Sequence, residues 1–246
     1  MFATSRDWDA RVVEAELIAR SSGFCELRDR ILDLAAPQAG QTVVDVGSGT
    51  GLLSLAFAPR TTRVWAIDRS PAMGEYLRVK AASAGLTNIE TVLASAVSLP
   101  LVDAVADLVV SNYCLHELSQ DEKYRALAEA RRVLRPGGRL VIADMMFSLN
   151  PGHSRDRQVV AAKLRGLLRR GLPGVWRLAK NAARLAAGRW EHPADPAWWR
   201  AALERSGFQR ITIQTLDHEG GIAIAEVPGT PCGPADRRAS ALAVTV

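Results

Sequence analysis

Cysteine is scarce in this chain of 246 residues: Cys25, Cys114 and Cys232 are too few and too scattered for a disulfide framework or a zinc site. They read as free thiols in a reducing compartment. No stretch approaches the roughly 20 consecutive apolar residues that span a bilayer. The opening Met1-Phe2-Ala3-Thr4-Ser5-Arg6-Asp7 lacks the apolar core of a signal peptide. The expectation is a soluble, cytoplasmic protein. Of the four histidines, His153, His192 and His218 fall near loops or element ends, where a solvated surface role is the default. The set is too dispersed to hold a metal, so no metal is expected. There is no internal repeat.

Positive charge is in excess only locally. The net charge is +5, a balance that in an evenly basic chain points to nucleic acid. Here ten basic residues (Arg155, Arg157, Lys163, Arg165, Arg169, Arg170, Arg177, Lys180, Arg184 and Arg189) fall between Asn150 and Trp190 against the single acid Asp156. That segment carries +9 and the rest of the chain −4, so nucleic acid is not the expected partner. Hydrophobic residues at 48% and charged residues at 23% are ordinary globular values, and this length serves one α/β core with additions.

The periodicity alternates. Asp7 to Ala36 is helical in two pieces broken around Ser21-Ser22-Gly23. Thr42 to Val46 reads as a strand that stops at glycines, and Leu52 to Ala58 as a helix. Strands follow at Arg63 to Asp68, Ile89 to Leu93, Asp107 to Ser111 and Arg139 to Met145. Helices run from Pro71 to Ala84 and Gln120 to Leu134, and Pro136-Gly137-Gly138 is a turn. This is the order of a doubly wound sheet. Beyond the basic segment a helix from Pro193–Pro196 to Ser206 precedes strands Phe208 to Thr215 and Gly221 to Val227. Only Leu216 to Gly220 joins those two strands, too short for a crossover, so they are antiparallel. The expected fold is a seven-stranded α/β sheet, mostly parallel with an antiparallel last strand. The expected divisions are N-terminal helices over 1–38, an α/β core over 39–150, a basic helical insertion over 151–192, the end of the core over 193–228 and a loose tail over 229–246. The N-terminal helices and the insertion are expected to act as a lid. Of Trp198-Trp199, one is expected to pack and the other to line a pocket.

The strongest motif is Asp45-Val46-Gly47-Ser48-Gly49-Thr50-Gly51. Glycines at alternate positions after a strand let the backbone turn sharply and let a ligand approach closer than any side chain permits, although a structural turn also uses such glycines. A dinucleotide fingerprint needs a glycine at position 52, which is Leu52. Asp68 ends the next strand, where a carboxylate can accept from both hydroxyls of a ribose; its structural alternative is to cap the Ser70-Pro71 turn.

With these landmarks the chain resembles the class I S-adenosylmethionine-dependent methyltransferases, within them the branch of ubiquinone and menaquinone biosynthesis methyltransferases. The resemblance covers roughly residues 40 to 146. It includes Ala94-Ser95-Ala96, Leu99-Pro100, Asp107-Leu108-Val109-Val110-Ser111-Asn112 and Leu134-Arg135-Pro136-Gly137-Gly138-Arg139-Leu140. It implies S-adenosylmethionine as cofactor, held by Asp45, Gly47, Ser48, Gly49, Gly51, Asp68, Arg69, Met73, Ser95, Ala96 and Asn112. Arg69 and Met73 would border the adenine. Ser95 departs from the family's usual acid for the adenine amino group; a hydroxyl still accepts a hydrogen bond but without charge.

Methyl transfer needs mainly an acceptor held in line with the methyl carbon and water excluded. A base is needed only where the acceptor must lose a proton. His116, four residues beyond Asn112 with Glu117 beside it, is the candidate; a packing or capping histidine is the structural alternative. The leading function is methylation of a small molecule, quinone-like or a natural-product aromatic. Its rivals are methylation of RNA or protein, a non-catalytic binding or assembly protein of the same fold, and a nicotinamide-dependent oxidoreductase, which Leu52 argues against. Helical periodicity from Val175 to Trp190 puts Val175, Leu178, Ala182, Leu185 and Ala186 opposite Arg177, Lys180 and Arg184. That face serves as a lid or makes a weak membrane-surface contact through 153–190.

Overall fold

The computed structural model describes residues 7–148, 156–158, 161, 165, 169, 171 and 192–229. The helix expected over Val175 to Trp190, His153, Cys232, and most of the basic insertion and the tail lie outside these residues.

Seven strands form one sheet: β1 (Thr42–Val46), β2 (Arg63–Asp68), β3 (Ile89–Leu93), β4 (Ala106–Asn112), β5 (Leu134–Met145), β6 (Gln209–Thr215) and β7 (Gly220–Glu226). Their spatial order is β3-β2-β1-β4-β5-β7-β6. Strands β1 to β5 pair in parallel, and β7 runs antiparallel to both β5 and β6. The mostly parallel sheet with an antiparallel last strand is therefore as expected. Chain order reverses between β1 and β4, and the crevice outside the strand ends at such a reversal is where ligands bind in open α/β sheets.

The central strands are buried on both faces, and their side chains alternate between two cores, as a period of two requires. Val44, Val46, Val109, Leu140 and Ile142 face a core closed by Leu127 and Ala130 of α5 (Gln120–Val133) and by Trp199 and Leu203 of α6 (Pro196–Arg205). Val43, Leu108, Val110, Val141 and Ala143 face the other, closed by Leu27, Ile31 and Leu32 of α2 (Ser22–Ala35) and by Phe57 of α3 (Ser54–Phe57). The long helices have good starts. Ser119 and Glu122 form a capping box on α5, Ser70 caps α4 (Pro71–Ser83), and Asp195 caps α6.

Three details differ from the sequence reading. The Pro136-Gly137-Gly138 turn falls inside β5 as a break in register, because Leu134 already pairs with Ala106 before the regular register resumes at Leu108 with Arg139. Helix α3 covers only the middle of Leu52 to Ala58; Ala58–Arg60 continues it as a 3-10 turn with Pro59 inside. Neither tryptophan of the pair lines the pocket: Trp199 is fully buried in the core, and Trp198 lies across it, packed on Tyr124 at 5.4 Å between ring centroids.

Helix α1 (Val12–Ala19) and the 3-10 turn before it are tied across the strand ends by polar anchors. Asp9 accepts from the Ser70 hydroxyl and, at 3.2 Å, from the Ala72 N–H at the start of α4. Glu16, 6% exposed, accepts from the Lys80 ammonium at 2.8 Å, and Lys80 also donates to the Thr50 carbonyl of the glycine loop.

Candidate active site

The ends of β1, β2 and β4, with the residues following β3, surround a cavity of about 310 Å³, near the lower end of the usual range for ligand sites. The loop after β1 is drawn in by the β2 end: the N–H groups of Gly47 and Ser48 both donate to the Ile67 carbonyl, at 2.8 and 2.9 Å. Gly47 has φ +73° and sits so close to Cys114 that a Cβ there would lie 2.2 Å from the Cys114 sulfur, so only glycine fits. The Gly49 N–H donates to Asp68 Oδ2 at 2.8 Å, and Ser70 N–H donates to Asp68 Oδ1 at 2.9 Å. These bonds fix the Asp68 carboxylate at the pocket wall with further lone pairs to offer. Burial raises its pKa against the opposing pull of those N–H groups.

Among the residues singled out in the sequence, Gly47, Ser48, Gly49, Asp68, Arg69, Met73, Ser95, Ala96, Asn112 and His116 come together around this cavity. Asp45 and Gly51 are not on its wall. Gly51 backs onto Leu77. Asp45 is 2% exposed beneath the loop and accepts from the Ser54 hydroxyl at 2.5 Å. Burial, opposed by bonding from Ser54 and reinforced by the charge of Asp68, pushes its pKa up to about 7. Ser95 stands at the exposed rim, its hydroxyl 3.4 Å from the Val97 N–H.

Two wall atoms are notable for lacking partners. Ser48 Oγ and Asn112 Oδ1 are buried and make no hydrogen bond among the described residues. A buried polar atom left unpaired costs roughly 1–3 kcal/mol; Trp65 Nε1 and Trp199 Nε1 are also unpartnered among the described residues, but only Ser48 and Asn112 line the cavity.

His116, 6% exposed, lies on the 3-10 turn Leu115–Glu117 after β4. Its Nδ1 is 2.6 Å from Asp144 Oδ1, and its backbone N–H donates to Asp144 Oδ2 at 3.0 Å. Its Nε2 is 3.7 Å from Glu117 Oε1. Asp144, 1% exposed near the end of β5, was not found from the sequence, although a lone carboxylate after Val141-Ile142-Ala143 was the available signal. Also missed were Trp8, Phe24, Tyr113 and Cys114, all on the pocket wall. Tyr113 has φ +48°, unusual for an aromatic residue, and its ring meets Phe24 at 5.1 Å and the edge of His116 at 6.0 Å. Burial raises the pKa of the Tyr113 hydroxyl and of the Cys114 thiol. His192 is exposed but its N–H donates to the His116 carbonyl at 2.7 Å, and His218 Nδ1 accepts from the Gly220 N–H. Among the described residues no cluster of His, Cys, Asp and Glu has the makings of a metal site.

Comparison with known proteins gives a consistent family. A family model described as a methyltransferase domain matches residues 43–138. The demethylmenaquinone methyltransferase of Tropheryma whipplei is 31% identical over 191 residues, 76% of this chain and 73% of that protein. The ubiquinone/menaquinone biosynthesis C-methyltransferase UbiE of Rubrivivax gelatinosus is 34% identical over 214 residues, 84% of this chain and 79% of that protein. Three further curated relatives, two uncharacterized methyltransferases and another UbiE, are spanned over 54%, 61% and 50% of their lengths, so the chain matches about half of each. Among solved structures, a SAM-dependent methyltransferase from Aquifex aeolicus aligns with a TM-score of 0.62 at 19% identity over 89% of this chain and 98% of its own. At that identity the likeness is one of fold.

Proposed function

The chain belongs to the class I S-adenosylmethionine-dependent methyltransferases, and from that membership we propose that it binds S-adenosylmethionine at the strand ends and transfers the methyl group to a small-molecule acceptor. The observation that carries the reading is the pair of unpartnered buried atoms, Ser48 Oγ and Asn112 Oδ1, facing one cavity with the Asp68 carboxylate. That donor and acceptor set suits a zwitterionic amino acid joined to a ribose. In this reading the glycine loop and Asn112 hold the methionine part, Asp68 accepts from the ribose hydroxyls, and Arg69, Met73, Ser95 and Ala96 border the adenine. Asp45 acts from beneath, by fixing the loop through Ser54.

When bound, S-adenosylmethionine supplies a methyl group on a positively charged sulfur that leaves as a neutral thioether. The chain's residues bind, orient and exclude water. Trp8, Ile18 and Phe24 roof the cavity from the N-terminal helices, which act as a lid anchored by Asp9 and Glu16. His116 takes a proton from the acceptor or orients it. The aromatic walls from Phe24 and Tyr113 favour a flat, largely apolar acceptor, quinone-like or another aromatic, in keeping with the names of the relatives. No helix among the described residues is long and apolar enough to cross a membrane; the positive charge of 153–190 suits surface contact with an anionic membrane that carries a lipid-soluble acceptor. Co-sedimentation with anionic vesicles at low salt tests that contact.

The proposal as a whole is tested by incubating the protein with methyl-labelled S-adenosylmethionine and a panel of phenols, hydroquinones, amines and thiols. Acceptor-dependent release of S-adenosylhomocysteine is expected. Tight cofactor binding with no transfer across the panel would favour a non-catalytic binding protein of the same fold.

A further inference from the structure

His116 and Asp144 come from different strands' ends, 28 residues apart in sequence, and meet at a geometry more specific than packing requires. Each Asp144 oxygen already accepts a backbone N–H, an accepting role in which the 2.6 Å contact places the donated proton on His116 Nδ1. The Asp144 carboxylate is satisfied by three N–H donors: His116 Nδ1, the His116 backbone at 3.0 Å, and the Met145 backbone at 2.7 Å. Holding both the ring and the backbone of one residue fixes its rotation as well as its tautomer. The neutral ring then presents Nε2 as its basic nitrogen, on a residue that lines the cavity.

We infer that Asp144 is a positioning residue that sets His116 as a general base, and that the acceptor is accordingly a compound that gives up a hydroxyl proton, a phenol or hydroquinone, rather than an amine. This rests on reading the cavity as a methyl-transfer site. The hydroxyl proton passes to Nε2, and the resulting imidazolium is balanced by Asp144. With S-adenosylmethionine bound, the electron pair released on the acceptor's oxygen would form the new bond to the methyl carbon while the sulfur–carbon pair stays with sulfur. A neutral amine carries its own lone pair and needs no base before it attacks. The groups near the ring among the described residues include Glu117 from its own turn, Tyr113 after β4, His192, whose N–H donates to the His116 carbonyl, and Lys123 of α5, whose ammonium donates to the carbonyls of Leu118 and His192. Burial lowers the pKa of Lys123 to about 8, so below that pH it still adds positive charge on the Asp144 side.

The test is nitrogen NMR of the histidine rings in the full chain saturated with S-adenosylhomocysteine, with His116 assigned by its loss in His116→Gln. The wild type is expected to show neutral His116 protonated at Nδ1. In Asp144→Asn the ring pKa should fall by about one unit or more, a tenfold loss of proton affinity, with S-adenosylhomocysteine affinity within about twofold of wild type. Addition of hydroquinone to the complex should shift the Nε2 resonance where an equal concentration of aniline does not. A wild-type ring protonated at Nε2, which needs no variant to observe, or a titration unmoved by Asp144→Asn, overturns the positioning role. An equal response to the two probes, or none to hydroquinone, overturns the acceptor class. Failure of the wild type to bind S-adenosylhomocysteine would instead count against the methyl-transfer reading, since the ring titration can be followed without it.

Discussion

Asp45 allows a prediction that separates stability from catalysis. The carboxyl is buried, with its pKa pushed up to about 7, whereas in the unfolded chain it titrates near the usual value of about 3.9. Between these values the folded state holds a proton that the unfolded state has released. The stability linked to this group is therefore complete below about pH 4 and is lost as pH rises toward 7. Each pH unit in that window is worth about 1.4 kcal/mol, so from pH 5 to pH 7 the folded state should lose on the order of 2.5 kcal/mol from this group alone. Asp45→Asn removes the titration and keeps an oxygen for the Ser54 hydroxyl. Urea unfolding of both proteins from pH 5 to pH 9 should give a wild-type stability that falls relative to the variant up to about pH 7 and then runs parallel to it. Curves parallel throughout would mean that Asp45 is ionised in the folded protein, and the assignment of a neutral carboxyl under the glycine loop would be wrong.

Other outcomes follow from the same geometry. Asp68→Ala should weaken S-adenosylhomocysteine binding about tenfold to a hundredfold by calorimetry, the loss of charge-assisted bonds worth roughly 1.5–3 kcal/mol; unchanged affinity in a folded variant would remove Asp68 from the ribose. Gly47→Ala places a methyl 2.2 Å from the Cys114 sulfur at a φ of +73°, and should cost at least about 1–3 kcal/mol in chemical denaturation together with cofactor affinity. Asp9→Ala frees the first turn from the start of α4 and should speed proteolysis before Val12 and lower cofactor affinity, while the melting of the core changes little; equal proteolysis rates would show that this anchor does not hold the lid.

Legibility in the sequence followed the range of the interactions. The glycine loop and Asp68 were readable because a strand, a turn and a terminal polar residue are adjacent in sequence and their period is fixed by the backbone, whereas Asn112 came only with the family resemblance. The short Leu216 to Gly220 connection likewise revealed the antiparallel end of the sheet. His116 was found by its place after β4. Its partner Asp144 was not, because the pairing depends on β4 and β5 lying side by side with Asn112 opposite Ala143, a register no local pattern encodes. The N-terminal helices were expected as a lid, but the side chains that reach the cavity, Trp8 before the first 3-10 turn and Phe24 in the first turn of α2, meet it through contacts distant in sequence. Asp45 and Gly51 belong to the motif yet stand behind the wall: Asp45 is held beneath the loop by the Ser54 hydroxyl, and Gly51 is packed against Leu77. The Pro136-Gly137-Gly138 segment reads as a turn in any sequence, and only the Leu134 pairing with Ala106 places it inside β5 as a break in register.

What the strand-end cavity binds is measured directly by calorimetric titration of the full chain with S-adenosylhomocysteine and, separately, with NAD. One site per chain for S-adenosylhomocysteine, weakened in Asp68→Ala, and no heat from NAD is the predicted result. Binding of NAD in preference, or no binding of S-adenosylhomocysteine by the folded protein, would contradict the reading of Ser48, Asp68 and Asn112 as a cofactor site for methyl transfer.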